Sequence, residues 1–462
     1  MLAGLLKAPS ATAPTRNIDA AQSRANLIIR LMRDQGYLTQ NQANSAIANP
    51  AQLSQIAKNR TGDHFADWIM ESGPEFPLKD TKEDLLIRTT FDKRVQKAAE
   101  DALSHIFETK VREGSTAQAA IVVLSRDGAV RGIVGGRKSG VAGAFNRATQ
   151  ARRQTGSSFK PFIYAAALQD GWRADTVVVD EPVTLNIPGS GAWSPRNYTN
   201  DFNGPMPMHE ALARSINTVA VKVSEAVGRD RVKATAEALG VTSPIADGPA
   251  IALGASEASL LEMTGAYASI LNGGRHTPPY GIETMIQQRD NDVVLAHSAQ
   301  PGAQVISERA AQQLVWMMNR VVVAGSGGRA RIDGMQVAGK TGTTQGARDA
   351  WFIGFNADYV IGVWMGYDDN SKLTGVTGSG LPADIWRETM VRVQGDQPPA
   401  PLPMLAPPPR PQAPAQVARA PAKERNPLKR AARQVGEDLR EAEREAETVL
   451  KKVINGIFGS DR

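Results

Sequence analysis

Residues 155–162 read Thr-Gly-Ser-Ser-Phe-Lys-Pro-Phe, and a helix-forming run at 163–168 follows before Gly171. The pattern predicts a helix that begins near Ser157 and ends at Gly171. Residues three apart on a helix lie on one face, about 5–6 Å apart, so Ser157 and Lys160 would be neighbours. A lysine whose pKa is lowered by burial or by a nearby cation can accept a serine proton. A serine in the first turn also lies at the positive end of the helix dipole, which favours an anion forming on a substrate carbonyl.

Two further motifs decide how this serine is interpreted, because Ser-x-x-Lys alone is also consistent with an ordinary solvated helix turn. Residues 215–217 read Ser-Ile-Asn, and residues 340–343 read Lys-Thr-Gly-Thr. Ser215 follows Ser157 by 58 positions, and Lys340 follows Ser215 by 125. The three motifs in this order are typical of serine β-lactamases and penicillin-binding proteins. Their wide spacing predicts three elements that converge from different parts of one domain.

The segment 145–162 resembles the active-serine region of class A penicillin-binding proteins, the bifunctional peptidoglycan synthases. Other stretches are similar to the same domain: 193–198, 211–218, 253–257, 339–344 and 349–354. The likeness covers roughly residues 84–392. It implies an α/β fold of the α+β type, with a central antiparallel sheet flanked by helices, as a transpeptidase domain over residues 84–395.

The hydrophobic pattern predicts the elements around these motifs. We expect strands at 85–91, 119–124 and 130–134, and a helix at 92–108. The resemblance implies that these strands belong to the central sheet and that the Ser157 helix packs against it. Residues 209–227 have a helical pattern, although serine and asparagine favour helix ends and turns. The glycine-rich residues 325–328 are expected to be flexible, and residues 336–343 are expected to form a strand at a sheet edge.

The resemblance implies acyl transfer at the D-Ala-D-Ala end of a peptidoglycan stem peptide. Ser157 would attack the penultimate carbonyl and release the last D-Ala, and an amine of a neighbouring stem would then take the acyl group. β-Lactam antibiotics imitate the dipeptide and would trap the serine. The implied catalytic residues are Ser157, Lys160 as candidate base, Ser215 as proton relay to the leaving nitrogen, Asn217 for a substrate amide, and Lys340 as a positive charge.

The resemblance also implies a substrate-binding set, with two threonine hydroxyls for the substrate carboxylate. The set is Thr341, Gly342, Thr343, Trp193 and Asn197. Backbone N–H groups of Ser157 and Thr343 would form the oxyanion hole. For Trp193, packing in the protein interior is the alternative to lining the cleft.

Other activities stay open. A DD-carboxypeptidase or a β-lactam hydrolase would carry the same three motifs, although the flanking likeness favours transfer. A non-catalytic β-lactam-binding scaffold is a further alternative, against which the intact motif residues argue. Which lysine or serine is the general base is also open.

Composition excludes several classes of chemistry. The chain has no cysteine, so disulfides, thiolate metal sites and thiol catalysis are excluded. Five histidines lack metal-ligand spacing, and no phosphate-binding loop is present, so neither a metal nor another cofactor is expected. The net charge is +6, but the sequence has no nucleic-acid-binding motif, so no nucleic-acid partner is expected. An anionic membrane or cell-wall polymer is at least as compatible with this charge.

The two ends of the chain differ from its middle. Residues 1–60 resemble the closing part of the glycosyltransferase domain of class A penicillin-binding proteins, whose catalytic glutamates lie upstream, so no glycosyltransferase activity is expected. A helical prodomain is the alternative, and residues 61–83 read as a connector. Residues 396–427 predict a Pro/Ala-rich disordered linker. Residues 428–462 predict an amphipathic helix with a heptad seam, for self-association or partner docking, or for lying on the protein body or a membrane.

The expected location rests on the resemblance alone. It implies the periplasm or the outer face of the cytoplasmic membrane. The sequence has no run of about 18–20 apolar residues and no signal-peptide pattern at its start.

Overall fold

The computed structural model of the chain describes residues 14, 18–52, 63–72, 84–137, 144–298 and 302–408. The helices are α1 (Ile18–Asp34), α2 (Gln40–Ala48), α3 (Asp63–Ser72), α4 (Lys93–Lys110), α5 (Lys160–Gln169), α6 (Met208–Ala213), α7 (Asn217–Val227), α8 (Arg229–Leu239), α9 (Leu260–Leu271), α10 (Glu308–Ala324) and α11 (Leu381–Gln394). Short 3-10 turns occupy Gly156–Phe159, Pro249–Leu253 and Gly328–Ala330. Among the described residues, no helix combines the length and apolar character that crossing a bilayer requires.

The strands form one large sheet and several small ones. In chain order they are β1 (Leu85–Thr89), β2 (Gln118–Ser125), β3 (Val130–Val134), β4 (Arg153–Gln154), β5 (Val177–Asp180), β6 (Leu185–Ile187), β7 (Gly191–Trp193), β8 (Gly204–Pro207), β9 (Glu257–Ala258), β10 (Ile282–Gln287), β11 (Val293–Ala296), β12 (Ala338–Thr343), β13 (Asp349–Phe355) and β14 (Tyr359–Gly366). The large sheet has the order β12-β13-β14-β2-β3. Its neighbouring strands are all antiparallel, as the resemblance implied.

The large sheet is covered on both faces, and β2 shows why its sequence suits that position. Successive side chains of a strand point to opposite faces. Ala120, Val122 and Leu124 lie in the core that holds α5, α9 and α10. Their neighbours Ala119, Ile121 and Val123 lie in a second core that holds α4 and α11. The unbroken apolar run therefore serves two cores, and the predicted fold class is confirmed.

The prediction that the strand at 85–91 belongs to the central sheet was wrong. Strand β1 pairs with β10, and β10 with β11, in a separate three-stranded sheet. The side chains of β1 alternate between half-buried and exposed along the strand. That alternation suits a sheet with one solvated face and does not suit a strand covered on both faces.

The reading of residues 61–83 as a connector also needs correction, because 63–72 form helix α3. Phe65, Trp68 and Ile69 are buried in the main core, at the i, i+3, i+4 spacing of one helix face. A Cβ on Gly281 would lie 2.4 Å from both Trp68 and Ile69, so α3 packs directly on the segment that enters β10.

The prediction that a disordered linker begins at residue 396 was wrong, because the segment after α11 packs on the rest of the protein up to residue 407. Leu402 is 5% exposed and lies in the main core. Its N–H donates to Gln336 Oε1 at 2.9 Å, and the N–H of Leu405 donates to the carbonyl of Gln312 at 3.0 Å. Residues 396–407 therefore dock on the body. The linker beyond 408 and the predicted helix at 428–462 lie outside the described residues.

Residues 18–52 contain the two helices α1 and α2. Thr39 and Gln42 form a reciprocal capping box at the start of α2. Three large apolar side chains on α1, Leu27, Leu31 and Met32, are exposed. The assignment of residues 1–60 to a glycosyltransferase remainder stays a prediction.

Candidate active site

The half-buried Ser157 lies in a 3-10 turn, Gly156–Phe159, that leads directly into α5. The helix prediction is confirmed in extent, and its first turn is the tighter 3-10 form. Backbone contacts fix the turn: Thr155 N–H donates to Ser256 O at 3.1 Å, and Gly156 N–H donates to Gly254 O at 3.0 Å. The hydroxyl of Tyr267 donates to Ser158 O at 2.7 Å.

Two glycines let three elements meet at this serine. Gly254 has φ +68°, and a Cβ there would lie 2.0 Å from the carbonyl oxygen of Gly156. Gly156 has φ +54°, and a Cβ there would lie 2.7 Å from the carbonyl oxygen of Thr343, at the end of β12. The Ser157 turn is thus held between the loop that ends at Gly254 and the edge strand of the large sheet. This contact brings the backbone of the first and third motifs together.

Lys160 joins the first motif to the second. Its side chain is fully buried, and its Nζ donates to the carbonyl oxygen of Ser215 and to Oδ1 of Asn217, both at 2.7 Å. A third contact, to Ser215 Oγ, is 3.3 Å long. All of these partners are neutral oxygens, so the amine lies in a polar but uncompensated environment.

Lys340 brings the third motif to the same serine. It lies fully buried on β12, at the edge of the large sheet, as predicted. Its Nζ donates to Ser215 Oγ at 2.8 Å and to the carbonyl oxygen of Thr341 at 3.0 Å. The hydroxyl of Ser215 therefore lies between two lysine amines.

Burial shifts both lysines toward the neutral form, and repulsion by Lys340 adds to the shift of Lys160. Burial, and then the positive charge of Lys340, hold the pKa of Lys160 well below its usual value of 10.5. Burial alone lowers the pKa of Lys340 to about 7. An amine with a lowered pKa can accept a proton near neutral pH, which an ordinary lysine cannot.

The second motif breaks the helix that the sequence pattern suggested over 209–227. Helix α6 ends at Ala213, α7 begins at Asn217, and Ser215 between them has φ +59°, in the left-handed region. This break exposes both the carbonyl and the hydroxyl of Ser215 to the lysines. The prediction of one helix needs correction, and the preference of serine and asparagine for helix ends accounts for the interruption.

Asn197 does not have the substrate-facing position that the sequence suggested. It is 5% exposed, and its Nδ2 donates to Asp180 Oδ1 at 2.8 Å and to Asp201 O at 2.9 Å. Its Oδ1 accepts the N–H groups of Asn217 at 2.9 Å and Thr218 at 3.2 Å. The amide is thus used within the protein, where it caps the first turn of α7 and fixes Asn217.

Trp193 lies half-buried at the end of β7, packed against the main core. Packing was the alternative that the sequence left open for this residue. Substrate contact by Trp193 stays a prediction.

Two contacts of the third motif involve residues that the sequence did not single out as functional. The N–H of Gly378 donates to Oγ1 of Thr343 at 3.0 Å. The hydroxyls of Ser326 and Thr341 lie 2.8 Å apart. Ser326 belongs to the glycine-rich stretch expected to be flexible, and the only sequence signal there was a serine between glycines.

A family model described as the penicillin binding protein transpeptidase domain matches residues 118–379. The match covers more than half of the chain, so the chain belongs to this family. The matched range contains all three motifs. The resemblance drawn from the motif residues is confirmed.

Curated relatives and solved structures agree with this assignment. The chain is 32% identical over 391 residues to penicillin-binding protein 1B of Vibrio cholerae, covering 82% of this chain and 50% of that protein. It is 33% identical over 409 residues to penicillin-binding protein 2D of Bacillus subtilis, covering 84% and 58%. The chain therefore spans about half the length of the curated relatives it matches.

Two solved structures share the fold. One is penicillin-binding protein 1A from Haemophilus influenzae, with TM-score 0.67 and 22% identity, covering 87% of this chain and 80% of that one. The other is the PonA1 protein from Mycobacterium tuberculosis in complex with penicillin V, with TM-score 0.64 and 26% identity. That match covers 76% of this chain and all of the PonA1 chain.

Proposed function

We propose that the chain is a serine-type D-Ala-D-Ala transpeptidase that cross-links peptidoglycan stem peptides and is acylated by β-lactams on Ser157. The observation that carries the proposal is the pair of buried lysines, Lys160 and Lys340, that share the hydroxyl of Ser215 beside the Ser157 turn. The family match and the penicillin V in the similar PonA1 structure support it.

In the first step, the neutral amine of Lys160 takes the proton of Ser157 Oγ, which attacks the penultimate carbonyl. The N–H groups of Ser157 and Thr343 stabilise the oxyanion. The contact between Gly156 and the carbonyl of Thr343 supports this pairing, because it ties the two donors to adjoining backbone. One such donor is typically worth about 3–4 kcal/mol in the transition state.

In the second step, the bond from the carbonyl carbon to the leaving nitrogen breaks, and that nitrogen needs a proton. Ser215 is the relay, because its hydroxyl receives hydrogen bonds from both lysine amines. It gives its proton to the nitrogen and recovers one from the protonated Lys160. D-Ala leaves, or the opened lactam nitrogen stays attached in the trapped β-lactam adduct.

Asn217 is the group for the substrate amide. Its Oδ1 accepts from Lys160, and one of its amide hydrogens goes to the carbonyl of Arg196 at 2.8 Å. An asparagine amide has two hydrogens. The second one is available for a substrate carbonyl.

The acceptor decides between transfer and hydrolysis. An amine of a neighbouring stem that attacks the acyl-enzyme completes the cross-link, whereas water makes the same enzyme a DD-carboxypeptidase. We assign the catalytic domain to residues 84–395, with α3 and residues 396–407 packed against it, and residues 1–60 to the closing part of a glycosyltransferase domain. Because the proposed substrate is peptidoglycan, we expect the reaction in the periplasm or at the outer face of the cytoplasmic membrane.

The test is to incubate the chain with a D-Ala-D-Ala peptide, with and without a D-amino acid amine acceptor, and to quantify both products by mass spectrometry. The proposal predicts D-Ala release with a transfer product that grows with acceptor concentration. D-Ala release with hydrolysis product only, at saturating acceptor, would support the carboxypeptidase alternative. Absence of D-Ala release by folded protein would support the scaffold alternative.

A further inference from the structure

The segment 325–328, Gly-Ser-Gly-Gly, is held in place on both sides and is not the free linker that its composition suggests. Ser326 N–H donates to the carbonyl of Ala213, at the end of α6, at 2.9 Å. Gly327 N–H donates to the carbonyl of Val321, in the last turns of α10, also at 2.9 Å. The serine between them therefore has a fixed position.

The flanking glycine on the N-terminal side makes this position possible. A Cβ on Gly325 would lie 2.2 Å from the carbonyl oxygen of Ala213 and 2.9 Å from that of Val321. A side chain at 325 would push the segment away from α6, and Ser326 with it. The glycine thus serves close packing beside the second motif.

The side chain of Ser326 reaches the third motif. The Oγ of Ser326 lies 2.8 Å from Oγ1 of Thr341. Thr341 as a residue is 4% exposed, and its Oγ1 lies 3.4 Å from the Nζ of Lys340. A lysine ammonium only donates, so Thr341 Oγ1 accepts from Lys340. The two hydroxyls carry two protons, and one of these forms the hydrogen bond between them. One hydroxyl proton is left to donate to a further acceptor.

We propose that Ser326 is a positioning residue that orients the Thr341 hydroxyl for recognition of the terminal carboxylate of the substrate. The inference rests on the proposed transpeptidase function and adds a residue to its site. A carboxylate accepts hydrogen bonds without donating any, so it is matched by the spare hydroxyl proton and by the positive charge of Lys340. Without Ser326, the Thr341 hydroxyl rotates to satisfy other partners, and the carboxylate loses a charge-assisted bond.

The experiment compares two β-lactams that differ only in this group, benzylpenicillin and its methyl ester. Second-order acylation constants are measured by intact-protein mass spectrometry for the wild type, Ser326→Ala and Ser326→Thr. Ser104→Ala, on an exposed position of α4, is the matched control. Thermal unfolding of each variant shows that the fold is retained.

We expect Ser326→Ala to slow acylation by benzylpenicillin at least about tenfold, the lower end of what one hydrogen bond to a charged group contributes. Acylation by the methyl ester should change less than twofold. The ratio of the benzylpenicillin constant to the methyl ester constant should therefore fall. Ser326→Thr restores the hydroxyl and should recover most of the ratio. The control variant should behave as the wild type does.

Two results would overturn the inference while leaving the proposed function intact. An equal slowing of both compounds would show that Ser326 only supports the structure, and unchanged constants for both would show that it is dispensable. A wild type that neither compound acylates would overturn the proposed function, and the inference with it.

Discussion

Lys340 Nζ donates a hydrogen bond to Ser215 Oγ at 2.8 Å, although the two residues are 125 positions apart in the sequence. The bond joins the edge strand of the large sheet to the break between α6 and α7. Lys160 reaches the same hydroxyl from α5 at 3.3 Å. Three separate elements therefore meet at one side chain, the hydroxyl that the proposed mechanism uses to carry a proton to the leaving nitrogen.

Burying Lys340 lowers stability, and Lys340→Met should reveal this. Its pKa is about 7 in the folded protein against an ordinary 10.5, so between those pH values the unfolded chain binds more protons. The free energy of unfolding therefore rises with pH across that window. Methionine removes the buried amine, and we expect roughly 1–2 kcal/mol of added stability near pH 7 with acylation lost.

Urea unfolding near pH 7 and near pH 9 measures this effect, with the exposed Lys97→Met as control. The gain from Lys340→Met should shrink at the higher pH, whereas the control should stay within about 0.5 kcal/mol of wild type at both. A destabilised Lys340→Met variant would contradict the inference that the buried Lys340 amine lowers stability.

The rate of acylation should depend on pH through both lysines. Activation of Ser157 needs a neutral Lys160, whose lowered pKa allows this near neutral pH. Attraction of a carboxylate needs a charged Lys340, so the second-order constant for benzylpenicillin should fall as pH rises through about 7. Stopped-flow acylation from about pH 5 to about pH 10 tests this. A constant that climbs steadily to pH 10 would indicate a lysine of ordinary pKa as the base.

Gly254 should be needed for the position of Ser157. Alanine there meets the carbonyl oxygen of Gly156, and displacement of a reacting group by about 1 Å can cost 100-fold in rate. Gly334→Ala is the matched control, because Gly334 also has positive φ but has nothing within 4 Å of the added carbon. Gly334→Ala carries only the cost of its positive φ, so we expect Gly254→Ala to lose more stability and, while it is still folded, to be the variant that loses acylation. Equal rates in the two variants would show that the contact is unimportant.

Asn197→Ala tests whether the Asn197 side chain caps α7 inside the protein or contacts the substrate. Loss of the cap on α7 should lower the free energy of unfolding by roughly 1 kcal/mol or more and slow acylation through displacement of Asn217. The exposed Asn44→Ala on α2 serves as control. Calorimetry and penicillin labelling measure the two effects. Slower acylation at unchanged stability would instead favour direct substrate contact by Asn197.

The sequence predicted what local patterns encode. The buried run of β2, the helix α4 and the helix after Ser157 all follow from periodicity and turn residues. The features that the sequence did not predict depend on contacts with residues that are distant in the chain. The left-handed Ser215 is supported by lysines from two other elements, and the burial of Leu402 depends on Gln336.

The site itself was predicted from motif order rather than from geometry. The meeting of Lys160, Ser215 and Lys340 followed from the three motifs, because their spacing allowed one shared cleft. Asn197 was misplaced, since a polar residue beside a motif resembles a substrate contact whether it faces the cleft or the interior. Ser326 was overlooked because glycines around it are typical of a flexible segment, and only the close approach of Gly325 to Ala213 shows why a glycine precedes it.

The most direct test of the central claim is intact-protein mass spectrometry of the chain after exposure to a fluorescent penicillin, in the wild type and in Ser157→Ala. We predict one covalent adduct on the wild type, located by peptide mapping to Ser157, and none on the variant. An adduct that persists on a folded Ser157→Ala protein would contradict the assignment of the nucleophile. A folded wild type that forms no adduct would contradict acyl-enzyme chemistry at this site.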